Sequence, residues 1–457
     1  MRLVDMNMKR NILLYILLLV CAVTFAGPVS MRQAQQKATE FAAQKGLSRQ
    51  AAVRLAPRKH APQQPSQPGI DAYANYYVFN IGSEEGFVIV SGNDETPSIL
   101  GYADGGSFDE DNMPSNMRQW LKEYDRQLTF LERHPNAHVV KKKATRASIA
   151  PLLTCTWNQG SPYNDLCPIY NDKRSVTGCV ATAMAQVLYY HRYPASTTAT
   201  IPGYTTRKLG INVDSIVPTS IDWANMKDSY NGSESAAEKN AVATLMKLCG
   251  ASVMMDYTPN ESGAYSDDVV SAAKLFFDYD DATVLANRDD YTAGNWDAII
   301  YQELAANRPV FYSGSSTGGG HAFVIDGYGH DGLFHVNWGW GGSSNNYFLL
   351  SILDPQSNSG IGASSSTDGY SFGQEAIIGM QPNTGEIATE SFALSTVAME
   401  AEQSVVEKSG GSYLFSYYTS IYNQTGSDHK FNIGIYVDDK SHDGENSVIV
   451  NYDQANI

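Results

Sequence analysis

The sequence predicts an α+β protein of several domains, because stretches with helical periodicity and stretches with strand-like alternation follow one another along the chain. The chain has 457 residues, of which 43% are hydrophobic, so it is too long for one ordinary domain and apolar enough for several cores. Its formal net charge of −16 argues against binding of a nucleic-acid backbone as its main role.

The N-terminus predicts an export signal over residues 1–26. A basic pair at residues 9–10 precedes an apolar run over residues 12–25, whose length is typical of a signal-peptide core. We expect cleavage after Ala26. A retained membrane anchor is the alternative, although the run is short for a helix that spans a bilayer. The sequence therefore predicts a protein that is secreted or held at the cell surface, without a stable membrane anchor.

The region over residues 27–146 predicts a compact α+β module without a cluster of catalytic residue types. Helical spacing and glycine-bounded alternation predict two helices and two strands, over residues 29–46, 117–133, 76–80 and 86–91. Residues 138–150 form a charged linker. Exposed linkers of this kind are common sites of proteolytic cleavage.

Residues 175–186 predict a sharp turn followed by a helix that begins at Cys179. Apolar residues recur at helical spacing after the cysteine, Pro194 ends the run, and Gly178 permits the turn. We expect Thr177 to cap the helix. A thiol on the first turn of a helix lies at its positive end, which favours the nucleophilic thiolate. A small buried residue is the alternative, since free cysteines are usually buried.

A glycine-rich stretch downstream predicts a β-hairpin that carries a histidine and an asparagine. Residues 318–320 are glycines and lead into a strand that begins at His321, and a second strand runs over residues 333–338. A hairpin folded about Gly329 would place His321 opposite Asn337, with an allowance of about two residues for uncertain boundaries. A buried structural histidine beside a flexible loop is the alternative.

Together these residues supply what nucleophilic catalysis by cysteine requires. The asparagine carbonyl can accept from one ring N–H of the histidine, so that the other ring nitrogen faces the thiol. Trp338 is placed to shield that bond from water, and the backbone N–H of Cys179 with the Gln159 amide would form an oxyanion hole. A surface turn amide is the alternative for Gln159, and residues 338–342 form a packed aromatic corner, a wall of the cleft, or both. Because no His, Cys and acidic residues have metal-ligand spacing, we expect no metal and no cofactor.

Four long blocks of the chain are specific enough to compare with known families: residues 157–160, 177–183, 319–327 and 335–342. In order and placement they resemble the streptopain family of secreted bacterial cysteine peptidases, and its interpain-type members most closely. The strands near residues 77–91 and the segment 112–120 also resemble that family's propeptide. The resemblance implies a papain-like fold of two subdomains over residues 147–382, preceded by an inhibitory α+β propeptide over residues 27–146.

The resemblance also implies roles for five residues. Cys179 would be the nucleophile and His321 the general base and acid. Asn337 would orient the histidine, Trp338 would shield it, and Gln159 would donate to the oxyanion.

Further consequences of the resemblance concern substrate and activation. Gly320 would contact the substrate backbone, as would Gly263 from a loop that lines the cleft, and the family favours an apolar residue two positions before the cut. The protein would be made as a zymogen whose propeptide blocks the cleft and displaces the catalytic histidine. A cut between residues 139 and 148 would release it.

Residues 383–457 change in character and predict a partial β-sandwich-like module. Alternating patterns occur over residues 413–417 and 431–437, and the segment is short for a whole sandwich. Nothing in it is typical of catalysis. Adhesion, stabilisation and export remain open as its role.

The sequence leaves three functions to compare. The first is a cysteine endopeptidase that acts on protein or peptide substrates and is inhibited by its own propeptide. The second is a catalytically silent binding or inhibitory protein on the same scaffold, and the third is acyl or amide transfer by the same residues. The cysteines outside the signal could form two disulfides, although one free thiol is expected; these are Cys155, Cys167, Cys179 and Cys249.

Overall fold

The structure is a computed structural model that describes most of the chain between residues 27 and 385. The described ranges are 27–47, 52–57, 74–133, 146–288, 291, 293–316, 319–329, 331–352 and 374–385, with short strands between residues 394 and 456. The predicted export signal and most of the predicted linker lie outside these ranges. No helix among the described residues is long and apolar enough to cross a membrane.

Among the described residues, the N-terminal module contains two helices and four strands. They are α1 (Met31–Lys45), β1 (Val53–Leu55), β2 (Tyr76–Ile81), β3 (Phe87–Ser91), β4 (Ile99–Ala103) and α2 (Ser115–Arg133). Helix α1 begins with a capping box between Ser30 and Gln33 and ends at Gly46, whose φ of 74° requires the left-handed region that glycine tolerates. Both predicted helices and both predicted strands of this module are confirmed.

The second region combines a helical part with a sheet part, and the helical part also contains four strands of two residues each. The helical part contains β5 (Ile169–Tyr170), β6 (Lys173–Arg174), α3 (Cys179–His191), β7 (Tyr204–Thr205), β8 (Asn212–Val213), a 3-10 turn (Trp223–Asn225), α4 (Ala236–Ser252) and α5 (Ser266–Phe277). The sheet part contains β9 (Val284–Asn287), α6 (Ala293–Ala305), β10 (Val310–Ser316), β11 (Gly319–Tyr328), β12 (Phe334–Asn337), β13 (Asn346–Phe348) and β14 (Gln374–Ile378). The predicted helix after residue 178 and both strands of the predicted hairpin are confirmed.

The strands of both regions form one antiparallel sheet of ten strands. Its order is β1-β2-β3-β4-β13-β12-β11-β10-β14-β9, so the N-terminal module extends the sheet of the second region. The two regions join where β4 pairs with β13, with Tyr102 opposite Tyr347 and Gly101 opposite Phe348. We call this pairing the seam.

The two faces of the sheet bury different cores, and β11 contributes to both. Phe323 packs into the core that contains helix α2 of the N-terminal module. Ala322 and Val324 pack into the core that contains helix α3. Because successive side chains of a strand point to opposite faces, residue parity along β11 decides which helix a side chain meets.

The register of the hairpin differs from the prediction. Val324, and not His321, lies opposite Asn337. The Gly329 N–H donates to the Leu333 carbonyl oxygen, and the pairing shifts between Ile325 and Gly327, where β11 contains a bulge. The prediction that residues 321 and 337 face each other was therefore wrong by three positions. Tyr328 pairs with Phe334, so the turn is centred two residues after Gly329, and the bulge then changes the register by one residue.

The C-terminal segment contains ten short strands that pair antiparallel, two by two. They are β15 (Leu394–Thr396) with β20 (Ile421–Asn423), β16 (Glu400–Ala401) with β19 (Tyr417–Tyr418), β17 (Glu407–Ser409) with β18 (Ser412–Leu414), β21 (Lys430–Phe431) with β24 (Ala455–Asn456), and β22 (Gly434–Val437) with β23 (Val448–Asn451). The β-rich character is confirmed, and the sandwich remains a prediction.

Candidate active site

Cys179 is the first residue of helix α3, as predicted, but its cap differs from the prediction. Gly178 is the N-cap, with φ of 85° and no side-chain capping bond, whereas the Thr177 hydroxyl bonds the Thr182 hydroxyl at 2.9 Å. A Cβ at position 178 would lie 2.8 Å from the Met255 sulfur and 2.8 Å from the Ser262 carbonyl oxygen. Gly178 is therefore required both for the backbone conformation and for the close approach of residues 255–262.

The Cys179 thiol lies against backbone amides at the junction of α3 and β11. It is half-buried and interacts with the backbone N–H groups of Ala322, Val180 and Cys179 itself. Burial raises the pKa of the thiol, and the three amides lower it by a smaller amount. In this state, contrary to the sequence prediction, desolvation outweighs the helix N-terminus and favours the neutral thiol.

His321 precedes Ala322, but its side chain lies on the other face of the sheet. It lines a small cavity together with residues of helix α2 and with neighbours on its own sheet: Asn116, Trp120, Glu123, Gly314 and Phe323. Burial lowers the pKa of His321, Glu261 raises it, and Lys122 of α2 lowers it further. The structure thus holds the imidazole neutral beneath α2, on the face opposite the core that contains α3.

Helix α2 is fixed to this face by polar and aromatic contacts. The Asn116 amide donates to the Trp338 carbonyl oxygen at 2.7 Å and to the Ala322 carbonyl oxygen at 3.4 Å. The Trp120 ring meets Phe323 and Trp338 edge-on, with centroid distances of 5.7 and 6.3 Å. The N-terminal module therefore covers the strand that carries His321 and the tryptophan next to Asn337.

Asn337 is buried on the same face as Cys179, because it pairs with Val324. Its amide donates to the Cys155 carbonyl oxygen at 2.8 Å, and its carbonyl accepts from the Gly339 N–H at 3.1 Å. The carbonyl expected to hold the histidine is thus engaged with Gly339 in this state. The orienting role of Asn337 stays a prediction.

Trp338 is fully buried within an aromatic cluster. Its indole N–H donates to the Ser344 carbonyl oxygen at 3.0 Å, and its ring lies 4.8 Å from Phe323 between centroids. This is the packed aromatic corner that the sequence left open. Its shielding role stays a prediction.

Gln159 lies beside the turn that precedes Cys179. Its backbone carbonyl accepts from the Thr177 N–H at 3.2 Å. The preceding Trp157 carbonyl accepts from the Gly341 N–H at 2.8 Å, which ties this segment to the one that follows Trp338. The sequence block around Gln159 and the block around Cys179 therefore meet, as an oxyanion hole requires.

The two glycines expected to contact substrate occupy different settings. Gly320 lies in β11 and pairs with Ser315. The Gly263 carbonyl accepts from the Asp256 N–H at 2.8 Å, and a Cβ at Gly263 would meet open space. Substrate contact by either glycine remains a prediction.

Sequence analysis missed two features of this site. Asn116 was not singled out, although a buried asparagine near the start of a helix in the segment 112–120 is a signal for a specific contact. The pair between the His335 Nδ1 and Asp326 Oδ1 atoms, 2.5 Å apart, was also missed. Asp326 further accepts from the Leu153 N–H at 3.0 Å, so this pair fixes the start of the second region. All four cysteines among the described residues are free thiols, with Cys155, Cys167 and Cys249 fully buried.

Comparison with known proteins identifies both regions. Residues 157–348 match the sequence profile of the peptidase C10 family, and residues 26–128 match that of the Spi protease inhibitor. Over 331 residues the chain is 36% identical to streptopain from Streptococcus pyogenes, covering 68% of this chain and 81% of streptopain. It is 34% identical over 399 residues to the thiol protease/hemagglutinin PrtT from Porphyromonas gingivalis, covering 83% of this chain and 45% of that protein.

A solved structure agrees with these matches. The chain is similar to a fragment of prointerpain A from Prevotella intermedia, with a TM-score of 0.61, 32% sequence identity, and coverage of 73% of this chain and 99% of the fragment. That neighbour contains a pro-region, as its name states. The chain therefore belongs to the peptidase C10 family, the cysteine peptidases of the streptopain type, and is built as a zymogen with an α+β fold and an inhibitor-type N-terminal module.

Proposed function

We propose that the chain is a secreted, papain-like cysteine endopeptidase whose N-terminal module is an inhibitory propeptide. One observation carries this proposal: Cys179 begins a helix and touches the backbone N–H of Ala322, the residue next to His321, while α2 covers His321 from the other face. The residue that contacts the proposed nucleophile is thus next to the proposed base in β11, but the side chain of the base lies on the opposite face of the sheet. This arrangement is typical of a site assembled in advance and held inactive.

The proposed reaction is acyl transfer to the thiol followed by hydrolysis. The Cys179 thiolate attacks the scissile carbonyl, and the oxyanion accepts from the Cys179 N–H and the Gln159 amide. The protonated His321 then donates its proton to the leaving amine, which yields a thioester. His321 next removes a proton from water, whose oxygen attacks the thioester and releases the acid with the thiol.

Catalysis in this scheme needs the imidazole on the face where Cys179 and Asn337 lie. Departure of α2 would free the His321 side chain to turn to that face and would return water to the site. The pKa of His321 would then rise, because burial is the main cause of its lowered value, and the pKa of Cys179 would fall once a protonated imidazole lies beside the thiol. Orientation of the imidazole by Asn337, and shielding by Trp338, belong to this active state.

The proposed domain boundaries follow the same argument. The signal would occupy residues 1–26, the propeptide residues 27–146, the catalytic domain residues 147–382 and the C-terminal module residues 383–457. Arg146 already contacts the second region, because its guanidinium donates to the Asp297 carbonyl oxygen at 2.9 Å and Ile149 pairs with Tyr328. Because Ile149 belongs to the second region, an activating cut is expected at or before the bond between residues 146 and 147, so that the released fragment ends within residues 139–146.

The experiment compares the full chain with Cys179→Ala under reducing conditions, each before and after limited digestion with an added protease. Hydrolysis of casein by the parent, stronger after digestion and blocked by an irreversible thiol reagent, with none by Cys179→Ala before or after digestion, is the expected result. Absence of hydrolysis in every sample would support the silent binding protein instead. A product joined to an added amine in place of water would support acyl transfer.

A further inference from the structure

A polar cluster beside the nucleophile has no role in the reaction described above. It consists of Ser266 at the start of α5, Ser313 on β10 and Glu375 on β14, and we call it the Glu375 cluster. The Ser313 hydroxyl donates to the Glu375 carboxylate at 3.0 Å, and the Ser266 and Ser313 hydroxyl oxygens lie 2.8 Å apart. Both serines are buried, whereas Glu375 is only half-buried.

The sheet register places this cluster on the face of Cys179. Ala322, whose N–H contacts the thiol, pairs directly with Ser313, and Ser313 pairs directly with Glu375. Directly paired residues of antiparallel strands share a face. The carboxylate is therefore two strand spacings from Ala322, which is about 10 Å.

The next row of the same face is apolar. Phe311, Val324 and Ile377 lie two residues further along the three strands and are fully buried in the core with α3. Placing a carboxylate at the end of this apolar row costs free energy unless the carboxylate accepts hydrogen bonds or pairs with a cation. The two serines bond the Glu375 carboxylate, and the residue as a whole is half-buried, so solvent reaches part of it.

The direction of the substrate follows from the leaving group. The amine must leave on the side of the residues that orient and shield the imidazole, which come from β12 and from the segment near Gln159. The acyl part of the substrate would then extend over β10 and β14. An extended peptide advances about 3.3 Å per residue, so a long side chain two residues before the cut can reach Glu375.

We propose that Glu375 is a specificity-determining residue of this cleft, which makes it accept a basic side chain two positions before the cut. This inference rests on the proposed function, and it departs from the apolar preference that the family resemblance implies. A guanidinium or ammonium group would pair with the carboxylate, while its aliphatic stem would lie against Ala322.

The test uses the full chain after activation. Three peptide substrates differ only in the residue two positions before the cut, which is arginine, citrulline or leucine. Citrulline has the shape of arginine without its charge. We expect kcat/KM for arginine to exceed that for citrulline about tenfold, and we expect Glu375→Gln to bring this ratio to about one. Asp267→Asn is the matched control, because Asp267 is an exposed carboxylate one residue after Ser266. It should leave most of the ratio intact.

A pH series on the unmutated protein provides a second readout that does not depend on folding of a variant. Burial raises the pKa of Glu375, and so does Asp267 from α5; the hydroxyls from α5 and β10 lower it, and Asn287 of β9 pairs opposite it. The arginine-to-citrulline ratio should therefore fall as the pH falls and the carboxylate is protonated. Titrations of Cys179 and His321 cancel in this ratio.

The outcomes separate this inference from the proposed function. If no peptide is cut by the parent, the proposed function fails. If peptides are cut but the ratio is near one, or is the same in Glu375→Gln, or does not change with pH, then Glu375 does not set specificity and only this inference is overturned.

Discussion

At the scale of single residues, the structure keeps the Cys179 thiol and the His321 imidazole apart and neutral. Burial raises the pKa of the Cys179 thiol and lowers that of the His321 imidazole, so neither carries the charge that the proposed reaction needs. The two groups are separated because successive residues of β11 face opposite sides of the sheet: Ala322 faces the thiol and His321 faces α2. A thiolate and imidazolium pair therefore requires a change in the protein and not merely the arrival of substrate.

This account predicts how alkylation of Cys179 depends on pH. In the intact chain the thiolate should form only at high pH, because the thiol pKa is raised, and after removal of the N-terminal module the midpoint should move to lower pH. Rates of reaction with iodoacetamide, measured in short exposures, would reveal the shift, with Cys179→Ala reporting the background from the buried cysteines. An identical midpoint in both forms would contradict the account.

Sequence reasoning could propose which residues react, but it could not predict how they are arranged. Cys179 could be placed on a helix because glycine, cysteine and the apolar spacing all constrain local structure. The register of His321 against Asn337 could not be predicted, since the turn is centred two residues after Gly329 and one bulge between Ile325 and Gly327 changes the register by one more residue. The thiol was expected to be ionised because local sequence reveals the helix end but not the burial that outweighs it.

At the scale of elements, helix α2 acts as the cover of the site. Its start bonds the backbone of β11 and β12 through Asn116, its middle packs Trp120 into the aromatic cluster, and Gln127 accepts from the Ile352 N–H at 2.9 Å. The amphipathic spacing of residues 117–133 predicted this helix. What the helix packs against could not be predicted, because its partners lie some two hundred residues later in the chain.

We predict that Trp120→Ala weakens the docking of helix α2 over the site. Loss of a buried tryptophan costs about 3–5 kcal/mol, and here the loss falls on the contact between α2 and the aromatic cluster. Conversion to the shorter, active form should be markedly faster than in the parent, as followed by gel and caseinolysis. Glu132→Ala, an exposed change on the same helix, is the control and should convert at the parental rate. Equal rates for all three proteins would exclude α2 as the cover.

A buried carboxyl in α2 predicts a dependence of this cover on pH. Burial raises the pKa of Glu123 to about 7, although Arg126 lies 3.6 Å away and lowers it. Because the docked form binds the proton more tightly, this contribution favours docking below about pH 4.5 and is lost as the pH rises through about 7. His321 has the opposite effect, since its lowered pKa makes acid oppose docking.

Glu123→Gln separates the two contributions, because it removes the carboxyl and leaves His321 in place. We expect the variant to convert more slowly than the parent at pH 8 and at a similar rate at pH 5. The measurement is the half-time of conversion across that range. A variant that converts faster than the parent at pH 8 would show that ionised Glu123 stabilises docking.

At the scale of the whole molecule, the seam makes one sheet from two regions. Tyr102 stacks on Tyr347 with ring centroids 5.4 Å apart, and the Lys45 ammonium lies 2.8 Å from the Asp331 carboxylate. Leu349 donates its N–H to the Leu100 carbonyl oxygen at 2.8 Å beside the paired strands. Two sets of contacts thus hold the N-terminal module: the packing of helix α2 over the site, and the backbone pairing of β4 with the edge strand β13.

We predict that Gly101 is essential for the pairing of β4 with β13 at the seam. A Cβ at Gly101 would lie 2.6 Å from a ring carbon of Phe348, so Gly101→Ala should push β4 and β13 apart and speed conversion to the active form. Gly105→Ala is the matched control, because a Cβ there meets open space. Thermal unfolding and conversion rate would both be measured; unchanged values for Gly101→Ala would mean that the seam does not hold the module.

The sequence predicted the two regions and most of their elements but not their joining. Strands β2 and β3 were recognised because they alternate between glycine-rich turns. Strand β4 was not, since Ile99–Ala103 is short and contains Gly101, and pairing across the seam links residues about 250 positions apart. Such pairing depends on tertiary packing, which the local pattern of residue types in the sequence does not predict.

The most direct test of the account follows intact masses of the full chain and of Cys179→Ala over time. The account predicts that the parent alone loses an N-terminal fragment ending within residues 139–146, that caseinolysis rises in step, and that Cys179→Ala stays whole until an added protease cuts it. Conversion of Cys179→Ala at the parental rate, or a parent that stays inert after the fragment is removed, would contradict the claim that Cys179 is the nucleophile of a self-activating zymogen.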